Sequence, residues 1–437
     1  MQVSDDMSID DPTRLGALEA AAAIAKGDLT AEALAKAYLR RIADRYDDVG
    51  AWESHDPDRV LDEARARDAE TPRSPLHGVP FGVKDIIDVA GYPTRMGSKI
   101  YADAQPALPD AAAVAMARDA GMVPLGKTVT TEFALRSAGK TRNPHRLSHS
   151  PGGSSSGSAA AVADFQAPLA IGTQTGGSVV RPASYCGVVG YKPTFGRISR
   201  AGVKSVSESL DTVGVMARSV ADAAAFAAIL EGAEPPMSLP ALTRPRIAFA
   251  RTPAWDALDA SAHKVARQAV DLARAAGASV IEMELPQPFR EALAAQETIM
   301  AYEAQRALAY ELRFRSGDVS RKLKDYIGGG ADIARDAYDE ARNVQATCRA
   351  TLWSFFADIG ALITPAAPGE APANPSDTGS AVANQIWTMA GAPVVGVPGL
   401  RGPDGLPIGM QVIGPSGRAA GTLAHAAWLQ DALKRNG

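Results

Sequence analysis

Ser150-Pro151-Gly152-Gly153-Ser154-Ser155-Ser156-Gly157-Ser158-Ala159-Ala160-Ala161 and Gly172-Thr173-Gln174-Thr175-Gly176-Gly177-Ser178-Val179-Val180-Arg181-Pro182-Ala183 are the two stretches from which the rest of the chain is read. In each, serines are set among glycines. Glycine opens backbone conformations closed to other residues and lets N–H groups approach a ligand. Serine offers a hydroxyl nucleophile or a proton relay. A Gly-Gly-Ser turn with free N–H groups is a nucleophile with an oxyanion hole beside it, the pairing that acyl transfer needs. Ser178 also suits a helix or turn cap, and taken alone the two readings weigh equally.

Upstream, Val79-Pro80-Phe81-Gly82-Val83-Lys84-Asp85 is an apolar run ending on a lysine. An apolar setting desolvates an ammonium and lowers its pKa toward that of a usable base. Outward from these motifs, short apolar runs alternate with periodic segments. Strands are expected at 79–89, 122–126, 187–191, 246–250, 279–284, 361–364, 394–397 and 409–413. Helices are expected from Thr30, as N-cap, to about Arg45, and at 111–120, 156–163, 261–276, 292–313, 334–356 and 422–434. This alternation indicates an α/β protein with a mostly buried sheet.

The Lys84, Ser154 and Ser178 motifs, in this order, resemble the amidase signature family of serine hydrolases, over most of the chain from Leu15 to the last helix. Within the family the chain is similar to malonamidase-type members, which share Gln174, Arg181-Pro182 and Tyr185-Cys186-Gly187. The common pattern has Asp where Gln174 stands, and Arg where Val180 stands.

The resemblance implies one large α/β domain, 1–437, with a mixed central sheet covered by helices on both faces. Its parts would be a helical region (1–70), a catalytic core (71–230) and a C-terminal part of the same sheet with the substrate-entrance loops (231–437). It further implies cleavage of a small amide through an acyl-enzyme on Ser178. Ser154, after a cis Gly153–Ser154 peptide, would bridge Ser178 to the base Lys84. Backbone N–H groups of Thr175, Gly176, Gly177 and Ser178 would hold the oxyanion. No metal or organic cofactor is required.

Substrate contacts are expected from Arg181, Gly153, Ser155 and Trp387. Arg181 has two readings: a grip on a substrate carboxylate, or a structural ion pair. Ser155 either holds Lys84 or satisfies the loop backbone. Trp387 belongs to a pocket or to the core. The Pro-rich stretch 365–376 flanks the entrance or is a plain surface loop, and the one at 234–245 is a surface connection within the domain.

If Arg181 is structural, a neutral amide, an anilide or a carbamate becomes the substrate. From another class, the A subunit of a tRNA-dependent amidotransferase would use the same core, and a catalytically dead binding protein is disfavoured by the intact triad.

Several patterns mislead. Residues 121–128 spell a phosphate loop, but they follow a helix, and their middle reads as strand. Gly153 to Gly157 fits a nucleophile elbow centred on Ser155, without motif-like acid and His partners downstream. Ser137-Ala138-Gly139-Lys140 lacks the companion motifs of β-lactamases. His145 and His149 sit in a loop without acidic ligands, which disfavours a metal. Cys186 lies among small apolar residues and reads as buried packing.

The 437 residues carry a formal net charge of −4 with signs mixed, which gives no case for a nucleic-acid or membrane partner. Residues 1–6 are acidic and lack a signal-peptide pattern. The two cysteines make no disulfide framework. A cytoplasmic enzyme is expected, with a small amide or carbamate as its partner molecule and a homodimer left open.

Overall fold

A computed structural model describes residues 10–434; the acidic stretch 1–6 lies outside them. One sheet runs through the molecule. Its strands are β1 (Trp52–Ser54), β2 (Pro80–Lys84), β3 (Val123–Thr128), β4 (Leu169–Gln174), β5 (Val189–Lys192), β6 (Thr212–Ala217), β7 (Arg246–Arg251), β8 (Ser279–Glu284), β9 (Ala361–Pro365), β10 (Val394–Arg401) and β11 (Pro407–Ile413). Their order across the sheet is β1-β3-β2-β4-β6-β5-β10-β11-β9-β7-β8.

The sheet is mixed. β3, β2 and β4 run parallel, as do β9, β7 and β8, and antiparallel pairs join the two groups through the centre. Every residue of β2, β3, β4, β5 and β6 is buried. Strands covered on both faces carry near-continuous apolar runs whatever their direction, and that is why these segments show no alternation.

Thr30 caps the helix Ala31–Val49, its hydroxyl accepting from Ala33 N–H. The phosphate-loop lookalike contains β3 itself. The strand expected over 79–89 stops at Lys84, because Ile86 and Ile87 N–H turn back onto the Lys84 carbonyl. The helix expected over 292–313 divides into Ala292–Ala307 and Ala309–Phe314. The one over 334–356 ends as a helix at Leu352 and continues as a 3-10 turn.

β4, β6 and the helices Val220–Leu230 and Val382–Met389 were not anticipated. Val220–Leu230 is Ala-rich and buried nearly all round, so it has no polar face to mark its period.

Parallel strands bring their C-terminal ends to one side. Val83 of β2 pairs with Ile171 of β4, so Lys84 and Thr173 emerge together at that edge. The helices Ser156–Ala163 and Val180–Cys186 pack beside it, each preceded by one of the serine-glycine loops. The small residues are required there. A Cβ on Gly157 would stand 2.2 Å from the Ala51 carbonyl oxygen.

Candidate active site

Lys84 is fully buried at the end of β2. Its Nζ donates to Ser154 Oγ at 2.6 Å and to Thr173 Oγ1 at 2.8 Å. No carboxylate pairs with it among the described residues. Burial therefore pulls its pKa well below the usual lysine range, with only partial opposition from the charge of Asp211. The arrangement holds an amine that sheds its proton readily, in contact with a serine hydroxyl.

The Gly153–Ser154 peptide is cis. Arg181 donates from one terminal guanidinium nitrogen to the Gly153 carbonyl at 2.6 Å. Ser155 N–H donates to the Ser178 carbonyl at 3.3 Å, which ties the two serine-glycine loops together. Ser178 lines a narrow cleft with Arg136, Arg181, Tyr326, Thr378 and Gln385.

The loop before Ser178 is held from behind. Gln296 donates to the Thr175 carbonyl at 3.1 Å, and Thr388 Oγ1 to the Gly176 carbonyl at 2.6 Å. Gln174 donates to Thr388 Oγ1 at 2.9 Å, while its oxygen accepts from Val179 and Val180 N–H. With carbonyls anchored away, the N–H groups of Gly176, Gly177 and Ser178 donate to no protein acceptor among the described residues. Gly177 has no room for a side chain, since a Cβ would stand 2.4 Å from Asn384 Oδ1. Thr175 Oγ1 donates to the buried Asp211 at 2.6 Å.

The four residues expected at substrate separate. Arg181 lines the cleft with Ser178, and Gly153 joins the site through its carbonyl's bond to Arg181. The ion-pair reading of Arg181 fails: it meets no carboxylate among the described residues, and its buried Nε has no partner. Burial draws its pKa down to about 10. Ser155 is corrected: its hydroxyl accepts from Thr173 N–H and donates to the Thr173 carbonyl, both at 3.2 Å, so it braces the strand that carries Thr173 and bonds neither Lys84 nor the cleft. Trp387 is also corrected. It is fully buried in the main core, tilted against Phe289 at 6.4 Å, because the helix Val382–Met389 is buried on nearly every side.

Thr173, Arg136 and Tyr326 were missed. No local pattern marks them; strand register and loop packing bring them to the site. The stretch 365–376 touches the first loop, where the Pro372 carbonyl accepts from Ser150 N–H, and Thr378 and Ala381 just beyond it line the cleft. Cys186 is buried with its thiol pushed up by desolvation, and His145 bonds the Cys186 carbonyl. No described helix is long and apolar enough to cross a membrane.

The chain is similar to known proteins over most of its length. The Amidase family model matches residues 33–423. The glutamyl-tRNA(Gln) amidotransferase A subunit of Acidothermus cellulolyticus is 37% identical, over 93% of this chain and 92% of its own length. The crystal structure of an amidase superposes with a TM-score of 0.87 at 30% identity, covering 95% of this chain and 99% of that one. Native peptide amidase from Stenotrophomonas maltophilia superposes at 0.80 with 31% identity, over 97% of each chain. The chain belongs to the amidase signature family and is an enzyme of that family.

Proposed function

We propose that this protein hydrolyses the C–N bond of a small amide through an acyl-enzyme on Ser178, and that the favoured acyl group bears a carboxylate. The observation that carries the chemistry is the 2.6 Å contact of Ser154 with a buried lysine that no carboxylate neutralises. Neutral Lys84 takes the Ser154 hydroxyl proton as Ser154 takes that of Ser178. Ser178 Oγ attacks the amide carbon. The N–H groups of Thr175, Gly176, Gly177 and Ser178 donate to the growing oxyanion, and loss of one such donor costs about 3 kcal/mol of barrier. Ser154 returns the proton to the leaving nitrogen, and water then releases the acyl group by the same relay.

Among the described residues Ser178 Oγ has no hydrogen-bond partner, so the Ser154–Ser178 contact forms with substrate. Such contacts commonly tighten only in the complex. Arg181, buried beside the nucleophile without a carboxylate of its own, supports an acidic acyl group over neutral amides, anilides or carbamates.

A second reading is the A subunit of an amidotransferase, favoured by the 37% identity to such a protein. One experiment separates the two. The purified chain, without partner or tRNA, is assayed on malonamate, aliphatic amides, anilides and carbamates, and labelled with a fluorophosphonate. Hydrolysis of malonamate ahead of the neutral amides, with the label on Ser178 and loss of both in Ser178→Ala, is expected. A label on Ser155 overturns the assignment of the nucleophile. Activity confined to a multi-protein complex overturns the stand-alone reading.

A further inference from the structure

The cleft holds a second arginine. Arg136 and Arg181 both line it, and no Asp or Glu does. Neither forms an ion pair among the described residues. Two guanidinium groups around one small space repel each other, and Arg181 feels the Arg136 charge in addition to its burial, with Asp377 opposing from outside the cleft lining and without an ion pair. An anion relieves both costs.

Arg136 is also held for the purpose. Its guanidinium lies over the Tyr326 ring, 4.3 Å from the centroid. Part of the guanidinium also faces the Tyr326 hydroxyl, and no carboxylate among the described residues pairs with the rest, so N–H groups remain for a carboxylate ligand. The segment before it is bent by left-handed backbone at Phe133 (φ 47°) and Ala134 (φ 58°), where non-glycine residues are seldom found. Thr131 Oγ1 locks this bend by donating to the Leu135 carbonyl at 2.9 Å. The helix Arg321–Gly328, which carries Tyr326, is fastened to the same segment. Ser320 N–H donates to Glu132 Oε1 at 3.3 Å, and the Ser137 and Ser320 hydroxyls meet at 2.6 Å. Both walls of this position are therefore fixed before any ligand arrives.

We infer that Arg136, stacked on Tyr326, is a second carboxylate-binding position, and that the preferred substrate is an amide carrying two carboxylates, one read by Arg181 and one by Arg136. This rests on the proposed acidic acyl group and names its substrate class more narrowly.

Binding tests it without turnover. The inactive Ser178→Ala protein is titrated calorimetrically with malonamide, malonamate and N-malonylglycine, which carry no, one and two carboxylates. Affinity is expected to rise along that series. Adding Arg136→Gln should weaken N-malonylglycine by about ten- to hundredfold, the worth of a charged hydrogen bond, and leave malonamate within about twofold. Adding Arg181→Gln should weaken both acids. Arg136→Lys should recover part of the loss, since the charge stays while the fork is gone. Circular dichroism and thermal melts confirm that each variant is folded.

An equal loss on all three ligands, no loss on the dicarboxylate, or no binding of any probe overturns the inference. Failure to form an acyl-enzyme at Ser178 overturns the proposed chemistry instead, and leaves these binding differences intact.

Discussion

Lys84 and Lys127 lie on neighbouring parallel strands, and both are fully buried. Their surroundings differ. Lys127 forms an ion pair with Asp85 at 2.9 Å and donates to Thr94 Oγ1 at 2.8 Å. Lys84 has two hydroxyls and no adjacent carboxylate. Burial lowers both pKa values, but at Lys127 the Asp85 charge opposes the shift, and at Lys84 only the charge of Asp211 does, through no direct bond. Asp85 in turn is pushed up to about 6 by burial, against the pull of Lys127. Desolvation alone therefore does not define a base. The residue left without a counter-charge is the one placed to give up its proton.

Removing the unpaired lysine has the largest expected effect. Lys84→Ala should lower kcat/KM by about 10²–10⁴-fold, the usual worth of a general base. In the wild type, activity should rise with pH through the lowered Lys84 pKa and level off before an ordinary lysine would titrate, near about 10.4. The variant should lose this limb; an unchanged limb removes Lys84 from the mechanism. The same shift acts on stability. Between the lowered folded pKa and about 10.4 the unfolded chain binds more protons, so stability rises with pH across that window. Lys84→Met should abolish that slope in urea melts and raise stability at neutral pH.

Breaking the paired lysine should cost fold instead of rate constant. Asp85→Ala strands a buried cation and should lose about 3–5 kcal/mol in denaturant melts. Combining it with Lys127→Met should recover most of that loss. If the double variant is as unstable as the single one, the pair is not what holds this strand edge.

Thr173→Val takes away one of the two hydroxyls on Lys84. A loss of about fivefold in kcat is expected, equivalent to about 1 kcal/mol for one hydrogen bond, with a displaced pH limb. Thr173→Ser should restore both. A normal limb in the valine variant would mean that Ser154 alone sets the lysine.

The smallest effect should come from the loop that carries Ser178. Thr388→Val cuts the link from Gln174 to the Gly176 carbonyl and should lower kcat a few-fold, about 0.5–1 kcal/mol, with KM and the pH limb unmoved. A shifted limb would show that the two halves of the site are coupled.

Much of this was legible without coordinates. Thr30 as a cap, the strand hidden in the phosphate-loop lookalike and the mixed α/β sheet follow from local pattern and family resemblance. So does the contact of Lys84 with Ser154, because their motifs are long. Trp387 and Ser155 stay between two readings in the sequence for one reason: what surrounds a side chain depends on elements packed against it from elsewhere in the chain, and neighbours in sequence do not report that.

The chain's own letters determined which hydroxyls and which amine could react, since glycine-set serines and an apolar run ending in lysine are local facts. Tertiary structure decided the charge state and the company of those groups. Parallel register set Thr173 beside Lys84, Asp85 went to Lys127 instead, and a bent loop and a distant helix brought Arg136 and Tyr326 to the cleft. Coulomb energy and desolvation depend on distances through space, and residues far apart in the chain set those distances only once the sheet has formed.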